Sequence, residues 1–153
     1  MKIIVLGNQA RALSTFWSVL IRQMRQGGHE ALCCVPPGDP EADAALETLG
    51  ARVLHYELDR KGLNPLHDAR SFARLRRIFD AEKPDLLFAS TIKPVIYGGL
   101  AARRARVPHI YATITGEEPI PDWGGEEGVG PAVWPLNLRA EGRELESWGA
   151  QME

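Results

Sequence analysis

Cysteine is scarce: Cys33 and Cys34 are the only two in 153 residues, and they are adjacent. Neighbouring side chains of a strand point to opposite faces, so no disulfide is expected between them, which suits a reducing cytoplasm. No apolar run approaches the ~20 residues of a membrane-spanning helix. The opening run Met1 to Leu6 is too short for a signal peptide and gives way to Gly7-Asn8-Gln9-Ala10-Arg11. Glycine is sparse where a dinucleotide needs it. The loop after the first apolar run holds Gly7 alone, so the three-glycine fingerprint fails. The second run ends in Val35-Pro36-Pro37, not in an acid that could hold a ribose hydroxyl. Nicotinamide binding is therefore disfavoured. His29, His55, His67 and His109 are dispersed without metal-ligand spacing. There is no Asp-x-Asp pair, no phosphate loop ending in Lys-Ser/Thr and no Gly-x-Ser-x-Gly elbow. Neither a metal nor another cofactor is expected.

What is present is ordinary in amount and uneven in distribution. A length of 153 residues with 44% apolar content supports one domain with one sizeable core. The net charge of −2 conceals two halves. Residues 1–116 carry 16 Lys and Arg against 11 Asp and Glu, whereas residues 117–153 carry 2 against 9. An excess of five cations is too small to argue for nucleic acid, but it suits an anionic ligand or membrane surface.

Residues 1–116 repeat one phrase, a short apolar run followed by a helical stretch. Strands are expected over 2–7, 30–35, 52–58, 85–89 and 109–115, and helices over 14–26, 40–49, 65–82 and 94–105. Strands separated by helices predict an α/β fold, a doubly wound parallel sheet of about five strands with helices on both faces. In the first helix Leu13, Phe16, Trp17, Leu20, Ile21 and Met24 form one apolar stripe, with Ser14 as its cap. In the third, Leu66, Ala69, Phe72, Ala73 and Phe79 form the inward side. Arg70, Arg74 and Arg77 form a basic stripe, read either as a solvated face or as a surface for phosphate-bearing lipid. The rhythm stops at Gly116. The 37 residues from 117 to 153 hold six Gly, four Pro and three of the four Trp. They are expected to form an irregular acidic tail, with 138–148 able to make a short helix.

Doubly wound sheets bind ligands beyond their strand C-termini, which directs attention to the loops there. Gly7 and Asn8 could let a ligand approach backbone N–H groups, although Asn8 could equally bond its own backbone. Asn64 should cap the third helix, with Arg60 and Lys61 just before it as two adjacent cations. In Ser90-Thr91-Ile92-Lys93-Pro94, Pro94 suits the first helical position, which makes Lys93 the formal cap. Lysine caps poorly, and an uncapped helix start beside an ammonium suits an anion such as phosphate. Alternatively Thr91 or Ser90 reaches forward to cap, leaving Lys93 in solvent.

Three segments then carry a resemblance: Arg60-Lys61-Gly62-Leu63-Asn64-Pro65, Thr91-Ile92-Lys93-Pro94-Val95-Ile96-Tyr97-Gly98-Gly99 and Thr113-Ile114-Thr115-Gly116. In order and spacing they resemble the N-terminal domain of family-4 glycosyltransferases, and are similar to bacterial enzymes that build lipid-linked surface polysaccharide. The resemblance covers residues 1–116. It implies a Rossmann-like domain, the acceptor-side half of a two-domain GT-B enzyme. Such enzymes move sugar from a nucleotide-diphosphate donor, with retention and without a required metal, to a glycan acceptor that is often lipid-linked. It also implies a cytoplasmic setting, with peripheral contact at the inner face of the cytoplasmic membrane. By carry-over Gly7, Asn8, Arg60, Thr91, Lys93 and Gly116 face the substrate or its phosphates; no catalytic residue is assigned. Where relatives continue past Thr-Gly with Leu-Gly and an aromatic, this chain has Glu117-Glu118-Pro119. The expectation is a truncated or frame-shifted product, inactive alone because the donor-binding domain is missing. The alternative is a non-catalytic Rossmann-like ligand-binding module.

Overall fold

The computed structural model describes residues 1–59, 62, 64–114 and 133–135. Five parallel strands form its centre: β1 (Lys2–Leu6), β2 (Glu30–Val35), β3 (Arg52–His55), β4 (Leu86–Ser90) and β5 (His109–Thr113). A sixth, β6 (Val133–Pro135), runs antiparallel to β5, within a stretch whose sequence reads as loop. The spatial order is β3-β2-β1-β4-β5-β6.

The strands form where the sequence is continuously apolar, because both faces of the sheet are covered. Ile3 is nearly buried, and Ile4, Val5 and Leu6 are fully buried. On one face Ile4, Leu6, Cys34, Leu87 and Ile110 meet Leu75, Ile78, Phe79, Ala101 and Ala102. These come from helices α4 (Pro65–Glu82) and α5 (Gly99–Arg104). On the other face Ile3, Val5, Cys33 and Phe88 meet Ala10, Leu13, Ile21, Ala42 and Leu46. These belong to α1 (Ala10–Phe16), α2 (Ser18–Gln26) and α3 (Pro40–Thr48). The adjacent cysteines are free, buried and split between the two faces. Burial pushes the Cys33 thiol up to about 12 and raises Cys34 further.

The first helix and α4 differ from the sequence reading. The first begins at Ala10, directly off the Gly7 turn, and is broken at Trp17, whose ψ of 5° separates α1 from α2. Ser14 therefore lies inside a helix, its hydroxyl donating back to the Arg11 carbonyl. The break also shifts the phase of the stripe: Leu13 and Ile21 are buried while Phe16 is 80% exposed. In α4 the buried positions are Ser71, Leu75, Ile78 and Phe79, with Leu66, Ala69 and Ala73 exposed. Ser71 fixes this rotation, donating to the carbonyls of Glu57 and His67. Arg70, Arg74 and Arg77 are exposed on the outer side. Asn64 caps α4 as expected, accepting from the Leu66 N–H at 3.0 Å. Asp39 does the same for α3 through the Ala42 N–H.

Candidate functional site

The strand order reverses its direction of growth between β1 and β4. Chains leaving these two neighbours depart to opposite faces, which opens a crevice at their C-terminal ends. Leu6 pairs with Ala89, so the loop that starts at Gly7 and the loop that starts at Thr91 flank this crevice.

The first loop is held from beneath. Gly7 donates its N–H to the Cys34 carbonyl, and the Gly7 carbonyl accepts from the Tyr56 hydroxyl at 2.9 Å. Tyr56 is only 2% exposed, and burial pushes its phenol well above the usual 10.0. A Cβ on Gly7 would lie 2.9 Å from a Leu13 methyl, so glycine lets α1 start close against the turn. The side-chain amide of Asn8 has no hydrogen-bond partner among the described residues. Beyond the loop, Arg11 pairs with Asp39 through two contacts of 3.0 and 3.1 Å and reaches Glu41. The Ala42 N–H, and after it that pairing, hold the Asp39 carboxyl below the usual carboxylate range.

The second loop is strained. Thr91 has φ of +73°, in the left-handed region that a β-branched residue rarely occupies. Its N–H donates to the Thr113 carbonyl and its carbonyl accepts from Val95. Helical backbone starts at Ile92, two residues earlier than the sequence suggests, and takes a π-helical turn over Pro94–Gly98 before α5. Lys93 thus lies inside the helix, at φ −64° and ψ −48°, not at its cap. Neither hydroxyl candidate caps the helix. Ser90 donates to the Leu6 carbonyl, and the buried Thr91 Oγ1 has no hydrogen-bond partner.

Lys93 is neither a free cation beside the helix start nor a solvated surface charge. Its ammonium donates to the carbonyls of Asp59 and Gly62, both at 2.6 Å, and to Asp68 Oδ1 at 3.3 Å. An ammonium has three donors. While these bonds hold, none is left for an anion. The second oxygen of Asp68 accepts from the Tyr97 hydroxyl at 2.7 Å, which raises the Tyr97 phenol above 10.0. Sequence reasoning overlooked Asp68, Tyr97 and Tyr56. Only Tyr97 carried a signal, standing four residues after Lys93 and so on the same helical face. Arg60 and Gly116 lie outside the described residues.

Gly7, Asn8 and Thr91 therefore lie just beyond the C-terminal ends of the neighbouring strands β1 and β4, and Lys93 is engaged with protein oxygens of the loop that follows β3. Among the described residues no group of three or more His, Cys, Asp or Glu could hold a metal ion. Among them, too, no helix is long and apolar enough to cross a membrane.

Residues 12–150 match the model of the glycosyl transferase 4-like domain family, past the change of composition at Gly116. The chain belongs to that family. A Campylobacter jejuni protein, N,N'-diacetylbacillosaminyl-diphospho-undecaprenol alpha-1,3-N-acetylgalactosaminyltransferase, is 27% identical to this glycosyl transferase 4-like chain over 116 residues. That alignment covers 76% of the chain but 30% of the relative, so the chain spans under a third of that enzyme's length. Among solved structures, a deacetylase of the teicoplanin biosynthetic pathway superposes with a TM-score of 0.64 at 12% identity, over 74% of this chain and 64% of its own. Acinetobacter baumannii MurG superposes with a TM-score of 0.55 at 18% identity, over 74% of this chain and 33% of its own. At such identities the superpositions establish the fold alone.

Proposed function

We propose that this chain is the acceptor-side half of a retaining glycosyltransferase that moves a sugar from a nucleotide-diphosphate donor to a lipid-linked glycan acceptor. The observation that carries this reading is the switch-point crevice between Gly7-Asn8 and Thr91, in a chain whose family is that of glycosyl transferase 4-like domains. The name of the Campylobacter relative describes transfer onto a diphospho-undecaprenol-linked sugar, which supports the acceptor class.

The residues suit that task in identifiable ways. Asn8 offers an uncommitted amide to a sugar hydroxyl or phosphate oxygen. Thr91 holds a strained backbone at the entrance to a helix, where N–H groups favour negative charge. The exposed Arg70, Arg74 and Arg77 on α4 give an anionic bilayer a surface to meet, so peripheral contact at the inner membrane face belongs to the same proposal. On this reading the donor site lies in residues outside this sequence, and the 153-residue chain alone turns nothing over.

The test mixes the purified chain with vesicles that contain or lack a polyprenyl-diphosphate-linked sugar, with a nucleotide sugar added in a second arm. Sedimentation with acceptor-bearing vesicles above the plain-lipid level, and no sugar transfer, is the expected result. Equal sedimentation with both kinds of vesicle refutes the acceptor assignment, and transfer by the chain alone refutes its dependence on an absent donor site.

A further inference from the structure

We infer that Lys93, Asp68 and Tyr97 form a latch that sets the position of the β3–α4 loop beside the crevice, with Lys93 a positioning residue and not a phosphate ligand. Three oxygens converge on one ammonium: two carbonyls at 2.6 Å and a carboxylate oxygen at 3.3 Å. Without the cation these negative ends of dipoles and a full negative charge would face one another at close range. The loop keeps this shape only while a positive group fills the point between them. The lysine and aspartate side chains are 21% and 16% exposed, so water screens the arrangement only partly.

The latch joins elements distant in the chain. Lys93 and Tyr97 stand on the helix that leaves β4, Asp68 lies in the first turn of α4, and the two carbonyls belong to the intervening loop. Tyr97 holds the free oxygen of Asp68, which keeps the other oxygen aimed at Lys93. The loop is also tied within itself, for the Gly62 N–H donates to Asp59 Oδ1 at 2.8 Å. A Cβ on Gly62 would collide with the other Asp59 oxygen and push the carboxylate off that amide. Between the two latched carbonyls the sequence carries Arg60 and Lys61, a pair of cations. Lys93 thereby acts at one remove: it holds Asp59 and Gly62, the described residues that flank this pair in the chain. Its relevance to binding rests on the function proposed above; the latch itself does not.

Trypsin cuts after arginine and lysine, so Arg60 and Lys61 report directly on the loop, while Lys93 is followed by Pro94 and is silent. Brief digestion of the full 153-residue chain, mapped by mass, is compared for the wild type, Lys93→Met and Asp68→Asn. Losing charge-assisted bonds to three oxygens should speed cleavage after Arg60 and Lys61 by at least about tenfold in Lys93→Met, and less in Asp68→Asn. Sites within α4, Arg74 and Arg76, should be cut at the wild-type rate. Unchanged cleavage at the loop overturns the latch. If Lys93→Met opens every site equally, Asp68→Asn decides: local acceleration supports the latch, and none overturns it. Titration with inorganic diphosphate supplies the second arm, with an affinity at least about fivefold weaker in Lys93→Met as the expected result. Wild-type affinity in that variant, with its loop loosened, overturns the positioning role. Failure of the wild type to bind diphosphate, with the cleavage difference intact, removes the proposed anion site and leaves the latch standing.

Discussion

Replacing Tyr56 with phenylalanine removes a single oxygen from beneath the first loop. The hydroxyl donates to the Gly7 carbonyl at 2.9 Å, and the ring is 2% exposed in the core on the α4 face. Phenylalanine fills the same space, so no cavity forms and the loss is that of a buried hydrogen bond. The Gly7 carbonyl is left without this donor, which sets the cost at about 1–2 kcal/mol near pH 7. The pH dependence makes the test specific. Burial raises the Tyr56 phenol above its unfolded value of 10.0, so the native state keeps its proton where the unfolded chain has lost it. That stabilising contribution is complete below pH 10 and falls as pH rises from there towards the raised native value. At pH 11 the wild type has lost about 1.4 kcal/mol that the variant never had. The buried thiols of Cys33 and Cys34 weaken both proteins alike above pH 9 and cancel in the difference. Urea unfolding at pH 7.5 and at pH 11 should therefore show a clear gap that nearly closes. Equal stability at pH 7.5, or a gap that stays constant with pH, refutes the reasoning.

Two further substitutions test the backbone around the crevice. A Cβ on Gly98, inside the π-helical turn, would collide with a methyl of the fully buried Leu6. Gly98→Ala should cost about 1–3 kcal/mol in chemical unfolding, the range for overpacking a core. Thr91→Gly removes left-handed strain and an unpartnered buried hydroxyl together. It should raise stability by about 0.5–1 kcal/mol while weakening diphosphate binding, and a loss of stability would show that no strain is stored there.

The strands were legible because a sheet covered on both faces demands unbroken apolar runs, and Ile3 to Leu6 is one. The cap at Asn64 was legible because capping is local. Helix phase was harder to read. Phe16 belongs to the stripe only if the helix runs unbroken through Trp17, and it does not. In α4 the inward side was read only in part: Phe79 is buried as expected, but the polar Ser71 also points in, satisfied by backbone carbonyls. The strand β6 gave no sign, since three residues ending in Pro135 carry neither periodicity nor a long apolar run. Gly7, Asn8 and Thr91 could be placed at one sheet edge from the order of elements. The engagement of Lys93 could not. Its partners Asp59, Gly62 and Asp68 stand 25 to 34 residues away, and no spacing rule connects them.

The central claim is that the crevice between β1 and β4 receives the phosphates of an acceptor. The most direct measurement is a titration of the isotopically labelled chain with inorganic diphosphate, followed amide by amide by nuclear magnetic resonance. The account predicts saturable shifts clustered at Gly7, Asn8, Thr91 and Ile92. Shifts confined to the arginines of α4 or to the opposite sheet edge near Lys2 and His29, or none at all, would contradict it.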